Sequence, residues 1–256
     1  MIVNIDTGFK CRSNFAFRLY AKIYCSMVKV FGARQIPIII NNYNRLECLL
    51  MQLKWLEDAG FERIYILDNA STYPPLLEFY KKTKHIVFRL DKNLGHTAYW
   101  QTQIPMLFKN QRFVITDPDV VAIDKCPDDF LHYFNLLLDR YIEVDKVGFG
   151  LKIDDIPDTY PNKEKVTNWE RKFWEEKVEG NVYKAPIDTT FALYRENSSG
   201  DPAMMNALRT GGEYVCRHLP WYINPEELSD EDKYYIDHAT NVSSWTAQLK
   251  GETAKY

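Results

Sequence analysis

With 256 residues, 46% of them hydrophobic and 26% charged, the chain can bury a core as one large domain, which excludes disorder and collagen-like repeats. A net charge of -3 excludes a protein that works by gripping a nucleic-acid backbone with bulk positive charge, so any basic patch is local. The five cysteines (Cys11, Cys25, Cys48, Cys126, Cys216) form no C-x-x-C pair and fit a reducing compartment, and no apolar run is long enough to span a membrane.

Residues 10–34 hold Lys10, Arg12, Arg18, Lys22, Lys29 and Arg34 without one acidic residue. Phe15, Leu19, Ile23, Met27, Val30 and Phe31 recur at helical spacing, so 14–31 reads as an amphipathic helix that starts after Ser13 and ends near Gly32. The pattern sets the apolar face but not its cover, which is either the domain or a second subunit, or an anionic lipid surface.

From Gln35 strands and helices alternate. Residues 36–40 are a short apolar run, as in a strand buried on both faces, and 46–59 carry a helical stripe (Leu49, Leu50, Leu53, Leu56) ended by Gly60. Strands are expected at 63–67, 86–90 and 112–116, a helix at 76–82, and helical spacing at 97–108 despite Pro105. Four strand–helix rounds predict a doubly wound α/β sheet, whose ligand lies beyond the carboxyl ends of the strands. Polar residues collect there: Asn41 to Arg45, Asp68 to Thr72, Asn93 to His96, and Asp117 to Asp119.

The second half is less regular. A strand is expected at 147–153 and a strand pair or hairpin at 182–194, while 159–180, with Trp169 and Trp174, has the charge and length of a mobile lid. Residues 211–218 lead into Leu219, Pro220, Trp221 and Tyr222, and a helical tail follows Pro225. Trp169, Trp174, Trp221 and Tyr222 are candidates to stack on a ligand, with core packing as the competing reading. With no repeat or linker, the expected organisation is an extension at 1–34 and one domain at 35–256, divided into 35–122, 123–225 and the tail 226–256.

Asp117 and Asp119 stand at i and i+2, which in an extended segment puts both carboxylates on one side. Close carboxylates repel unless a proton or cation lies between them, and a divalent ion is the ordinary solution at neutral pH. D-x-D also occurs in plain turns. Its place directly after an apolar strand, at the rim where a ligand is expected, singles this one out.

These segments resemble, in order and spacing, the GT-A fold glycosyltransferases, which use a nucleotide-sugar donor and a D-x-D metal site. The likeness is nearest to the large inverting family 2 and its relatives, and covers roughly residues 35–222. It implies a single GT-A-like, Rossmann-like α/β domain with a mostly parallel central sheet flanked by helices. It further implies that Asn41, Asn42 and Arg45 line the nucleotide pocket, that Asp68 approaches the base or ribose, and that Asn93 and Gly95 border the nucleoside. Asp117 would face ribose or donor sugar, Asp119 would ligate the metal at the diphosphate, and the late His218 matches a further ligand; a core histidine is the competing reading. Carboxylates with an imidazole suit manganese better than magnesium.

Inverting members take the acceptor's proton with a carboxylate from an E-D pair, and none stands between Phe191 and His218. Inversion and retention both stay open. Asp188 is the first candidate base, because a carboxylate followed by Thr189 and Thr190 in an apolar stretch is costly unless it faces a polar site; a turn or capping role competes. Asp201, Glu213, Asp154 and Asp155 are reserves. The resemblance implies a metal-dependent glycosyltransferase on the cytoplasmic face of a membrane, acting on a glycan or lipid-linked glycan acceptor in surface polysaccharide synthesis. Two alternatives remain: a sugar nucleotidyltransferase, disfavoured by the lack of a glycine-rich loop after the first strand, and a non-catalytic glycan- or membrane-binding protein. Oligomeric state is open.

Overall fold

The computed structural model describes residues 1–5 and 32–239. The helix expected at 14–31, its lipid-facing role and the end of the tail lie outside the described residues. In chain order the strands are β1 (Ile2–Ile5), β2 (Ile38–Asn42), β3 (Ile64–Asp68), β4 (Ile86–Leu90), β5 (Phe113–Thr116), β6 (Val120–Ala122), β7 (Lys146–Leu151), β8 (Lys177–Glu179), β9 (Val182–Lys184), β10 (Ala192–Tyr194) and β11 (Ala207–His218). The described α-helices are α1 (Glu47–Asp58), α2 (Pro74–Lys82), α3 (Phe130–Arg140), α4 (Lys163–Arg171) and α5 (Asp230–His238).

All strands join one sheet in the order β1-β4-β3-β2-β5-β10-β7-β11-β9-β8, with β6 added on β11. From β1 to β5 every pairing is parallel, while β10 enters antiparallel between β5 and β7. The expected α/β sheet is present, its first half parallel and its second half mixed. Every residue of β2, β3, β5 and β7 is buried, and β2 feeds both sides: Ile38 and Ile40 join one core, Ile39 the other. That explains the unbroken apolar runs.

The chain steps from β2 outward to β3 and β4, then returns to place β5 on the other flank of β2. The strand order therefore reverses between β2 and β5. Open α/β sheets bind ligands in the crevice at such a reversal.

Several expectations are corrected. Residues 97–108 form two short 3-10 turns, Ala98–Gln101 and Ile104–Leu107, because Pro105 has no N–H to continue a helix. Of the strand pair or hairpin expected at 182–194, the strands β9 and β10 form at the two ends but do not pair with each other: β9 joins β8 and β11, whereas β10 lies between β5 and β7. The stretch expected as a lid holds α4, tied to β11 by a buried pair in which Arg209 donates to Glu170 at 2.7 Å. Trp174 lies half-buried on a glycine track. A Cβ at Gly150 would stand 2.4 Å from its ring, so only glycine admits it there.

Candidate functional site

The crevice at the reversal is lined by the exits of β2, β3 and β5, and each exit is held by side-chain amides. Asn41 Nδ2 donates to the carbonyl of Gly95 at 3.3 Å, and Asn69 Nδ2 donates to the same oxygen at 2.9 Å. Asn69 Oδ1 also accepts from the Leu94 N–H, and Asn93 Oδ1 from the Gly95 N–H. Gly95 turns with φ +75°, a conformation glycine adopts without strain. Asn41, Asn93 and Gly95 thus meet in one loop cluster, and Asn69 is a member that sequence reasoning passed over.

Asn42, Asp68 and Arg45 have internal partners. Asn42 Nδ2 donates to the Tyr80 hydroxyl at 2.8 Å, which lies 3.2 Å from Asp68 Oδ1. Asp68 is fully buried, with Arg89 at 3.5 Å, and burial pushes its carboxyl above the usual range. Arg45 donates to Asp232 Oδ1 at 2.7 Å and lies 3.7 Å from Glu231, both on α5. The Glu231 carboxylate accepts the Leu46 and Glu47 N–H groups at 2.6 and 2.8 Å, where an acid suits the positive end of α1. Tyr43 donates to the His238 carbonyl and Tyr234 to Thr72, so α5 lies across the exits of β2 and β3.

Asp117 and Asp119 occupy a turn between β5 and β6, not the extended segment expected. Their side chains consequently take different partners. Asp117 Oδ2 accepts the Thr189 hydroxyl at 2.6 Å, while Asp119 Oδ2 lies 3.7 Å from His218 Nε2. Strand pairing makes the second contact: β6 runs antiparallel to β11 with Val120 opposite His218, and the Leu219 N–H donates to the Asp119 carbonyl at 2.8 Å. The turn is also clamped by the buried Gln52 of α1, whose Nε2 donates to the carbonyls of Asp117 and Val120 at 2.8 and 2.7 Å. Gln52, too, escaped sequence reasoning.

The electrostatics suit a cation. Burial, then the charge of Asp119, pushes the Asp117 carboxyl well above its ordinary range. Burial lowers the His218 imidazole below its ordinary value, which favours the neutral form that ligates metals. Asp119 Oδ1 and His218 Nδ1 are buried without a hydrogen-bond partner. The contact between the two side chains is made by Oδ2 and Nε2, and each keeps a second, unpartnered atom, so an acid and an imidazole side by side offer the oxygen and nitrogen ligands that a divalent ion takes. Among the described residues no three His, Cys, Asp or Glu side chains converge as a metal site, so the protein offers a pair, not a cage.

Asp188 is exposed and lies close enough to Asp117 for its charge to raise that carboxyl further. Of the reserves, Asp155 accepts from Arg217 at 2.7 Å and from Tyr222 at 2.5 Å, Asp154 pairs with Lys152, and Asp201 caps the turn Pro202–Met204. Trp221 packs edge-on against His218 at 4.9 Å between ring centres, and Trp169 is covered by Lys172 at 3.1 Å.

No family model matches the chain, and no curated protein matches it in sequence. Among solved structures it is similar to residues 1–349 of TarS from S. aureus, at 12% identity and TM-score 0.44, covering 84% of this chain and 70% of that one. It is also similar to glucosyl-3-phosphoglycerate synthase from Mycobacterium tuberculosis, solved with Mn2+, UDP-glucose and phosphoglyceric acid, at 9% identity and TM-score 0.41. That overlap covers 74% of this chain and 64% of the synthase, so the chain spans less than two thirds of its length. Likeness at these scores says nothing of what this chain does.

Proposed function

We propose that the protein is a glycosyltransferase that moves a sugar from a nucleotide diphosphate donor to a hydroxyl of a glycan or lipid-linked glycan. The observation that carries this is the Asp119–His218 pair, set at the strand reversal with a buried, unpartnered atom on each side chain. Asp119 and His218 would hold a divalent ion, manganese before magnesium, which would supply positive charge to stabilise the departing diphosphate. Asn41, Asn93 and Gly95 form the wall where the nucleoside lies, and Asp117, steadied by Thr189, faces the ribose or donor sugar.

In the inverting form of the reaction, the acceptor oxygen bonds to the anomeric carbon as the bond from that carbon to the diphosphate oxygen breaks. Asp188, exposed beside Asp117, takes the acceptor's proton, and the nucleoside diphosphate leaves. A site at the cytoplasmic face of a membrane, with residues 10–34 on anionic lipid, completes the reading.

Calorimetric titration of UDP and GDP with and without Mn2+ tests it, together with release of nucleoside diphosphate from a panel of nucleotide sugars. Metal-dependent nucleotide binding that Asp119→Ala abolishes is the expected result. Binding that is indifferent to metal and to Asp119→Ala, with no turnover, refutes the proposal; glycan affinity alone then identifies a non-catalytic binder.

A further inference from the structure

Lys146 opens β7 and is wholly buried, although a charged ammonium in a core is costly unless oxygen atoms surround it. They do. Nζ donates to the carbonyls of Ile187, Asp188 at 3.2 Å and Pro202 at 2.8 Å, lies 3.3 Å from the Tyr194 hydroxyl, and sits 5.0 Å from the Tyr194 ring centre. Two of those carbonyls belong to the segment between β9 and β10, which belongs to no strand and yet carries Asp188 and Thr189 to the crevice. One residue further on, that segment touches the acidic turn twice. The Thr189 hydroxyl donates to Asp117 Oδ2 at 2.6 Å, and the Asp117 N–H donates to the Thr189 carbonyl at 3.2 Å.

We infer that Lys146 is a positioning residue: its buried ammonium gathers the carbonyls of Ile187, Asp188 and Pro202 and thereby fixes Asp188 and Thr189 against Asp117. Two of its three carbonyl partners come from a segment that belongs to no strand and borders the site. Its role in turnover rests on the glycosyltransferase reading; its role in holding the segment does not.

The test separates the two. In Lys146→Met the amide of Asp117, whose acceptor is Thr189, exchanges hydrogen about tenfold faster, while amides of the parallel half, such as Ile40 and Ile66, keep their protection. Unchanged exchange at Asp117 overturns the inference whether or not the protein turns over any nucleotide sugar. Where turnover is found, kcat falls about tenfold or more in the variant while the affinity for UDP with Mn2+ moves less than about threefold, a split that general loosening of the fold does not produce. Thr189→Val cuts the downstream link by removing one buried hydroxyl and leaves Lys146 with its partners, which covers the case in which Lys146→Met does not fold. It gives the same split, and a Thr189→Val protein with unchanged kcat and unchanged Asp117 exchange refutes the coupling.

Discussion

Replacing Gln52 tests how the acidic turn is held. Its amide nitrogen has two hydrogens and serves the carbonyls of Asp117 at 2.8 Å and Val120 at 2.7 Å, with Thr116 Oγ1 at 3.2 Å. Each buried hydrogen bond contributes about 1 kcal/mol net, so Gln52→Leu loses about 2 kcal/mol. Gln52 Oε1 is buried and unpartnered, and removing it returns roughly a kilocalorie of that. A net loss of about 1 kcal/mol lowers the thermal midpoint of a domain this size by roughly 2–4 °C. Gln52→Glu keeps the shape but points carboxylate oxygens at two carbonyls, so it must be the worse of the two variants. Thermal unfolding followed by circular dichroism, with UDP titrated in Mn2+, measures both effects, and nucleotide affinity falls about tenfold in the Leu variant, or about 1.4 kcal/mol. A Glu variant as stable as the Leu variant, or a Leu variant with wild-type midpoint and affinity, refutes the clamp.

Two further outcomes follow from buried charge. Burial lowers the Lys146 ammonium to about 7, opposed by Asp188, Asp201 and Asp145 and aided by Arg209. Between that value and the ordinary lysine range the unfolded chain binds more protons, so stability rises with pH: wild type gains about 2–3 kcal/mol on Lys146→Met between pH 7 and pH 9. Urea melts of both proteins across that window check the sign, and parallel profiles contradict it. Asp232→Ala strips Arg45 of its 2.7 Å partner and removes the capping box that Asp232 forms with Ser229. A buried pair broken from one side loses about 3–5 kcal/mol, to be read from denaturant midpoints; a loss near zero shows that Asp232 does not hold Arg45.

The parallel half of the sheet was legible because strands covered on both faces must be apolar throughout, and turns must then be polar. The reversal between β2 and β5 was not read from that pattern, because strand order depends on which strands pair and not on the hydrophobicity of any one of them. What failed were short elements with little signal of their own. β6 is three residues long and exists by pairing with β11, so the contact between Asp119 and His218 depends on a register that no local pattern encodes. The likeness to a known family proposed the histidine; pairing brings it there. Gln52 did leave a trace, since it lies three residues from Leu49 and four from Leu56, a polar group on an apolar stripe. Lys146 left less, because a lysine before an apolar run reads as a strand boundary. Ile2–Ile5 pairs along β4 at the edge of the sheet, and four residues isolated at a chain start offered no periodicity to read.

Arg45 has a bearing on synthesis. Its buried partner Asp232 stands 187 residues further along the chain. Until α5 has been made, Arg45 lacks the two carboxylates of that helix, Glu231 and Asp232, and that rim of the crevice lacks the helix that covers it. Among the described helices α5 is the last in chain order, so the cover over this rim waits until that helix has been synthesised.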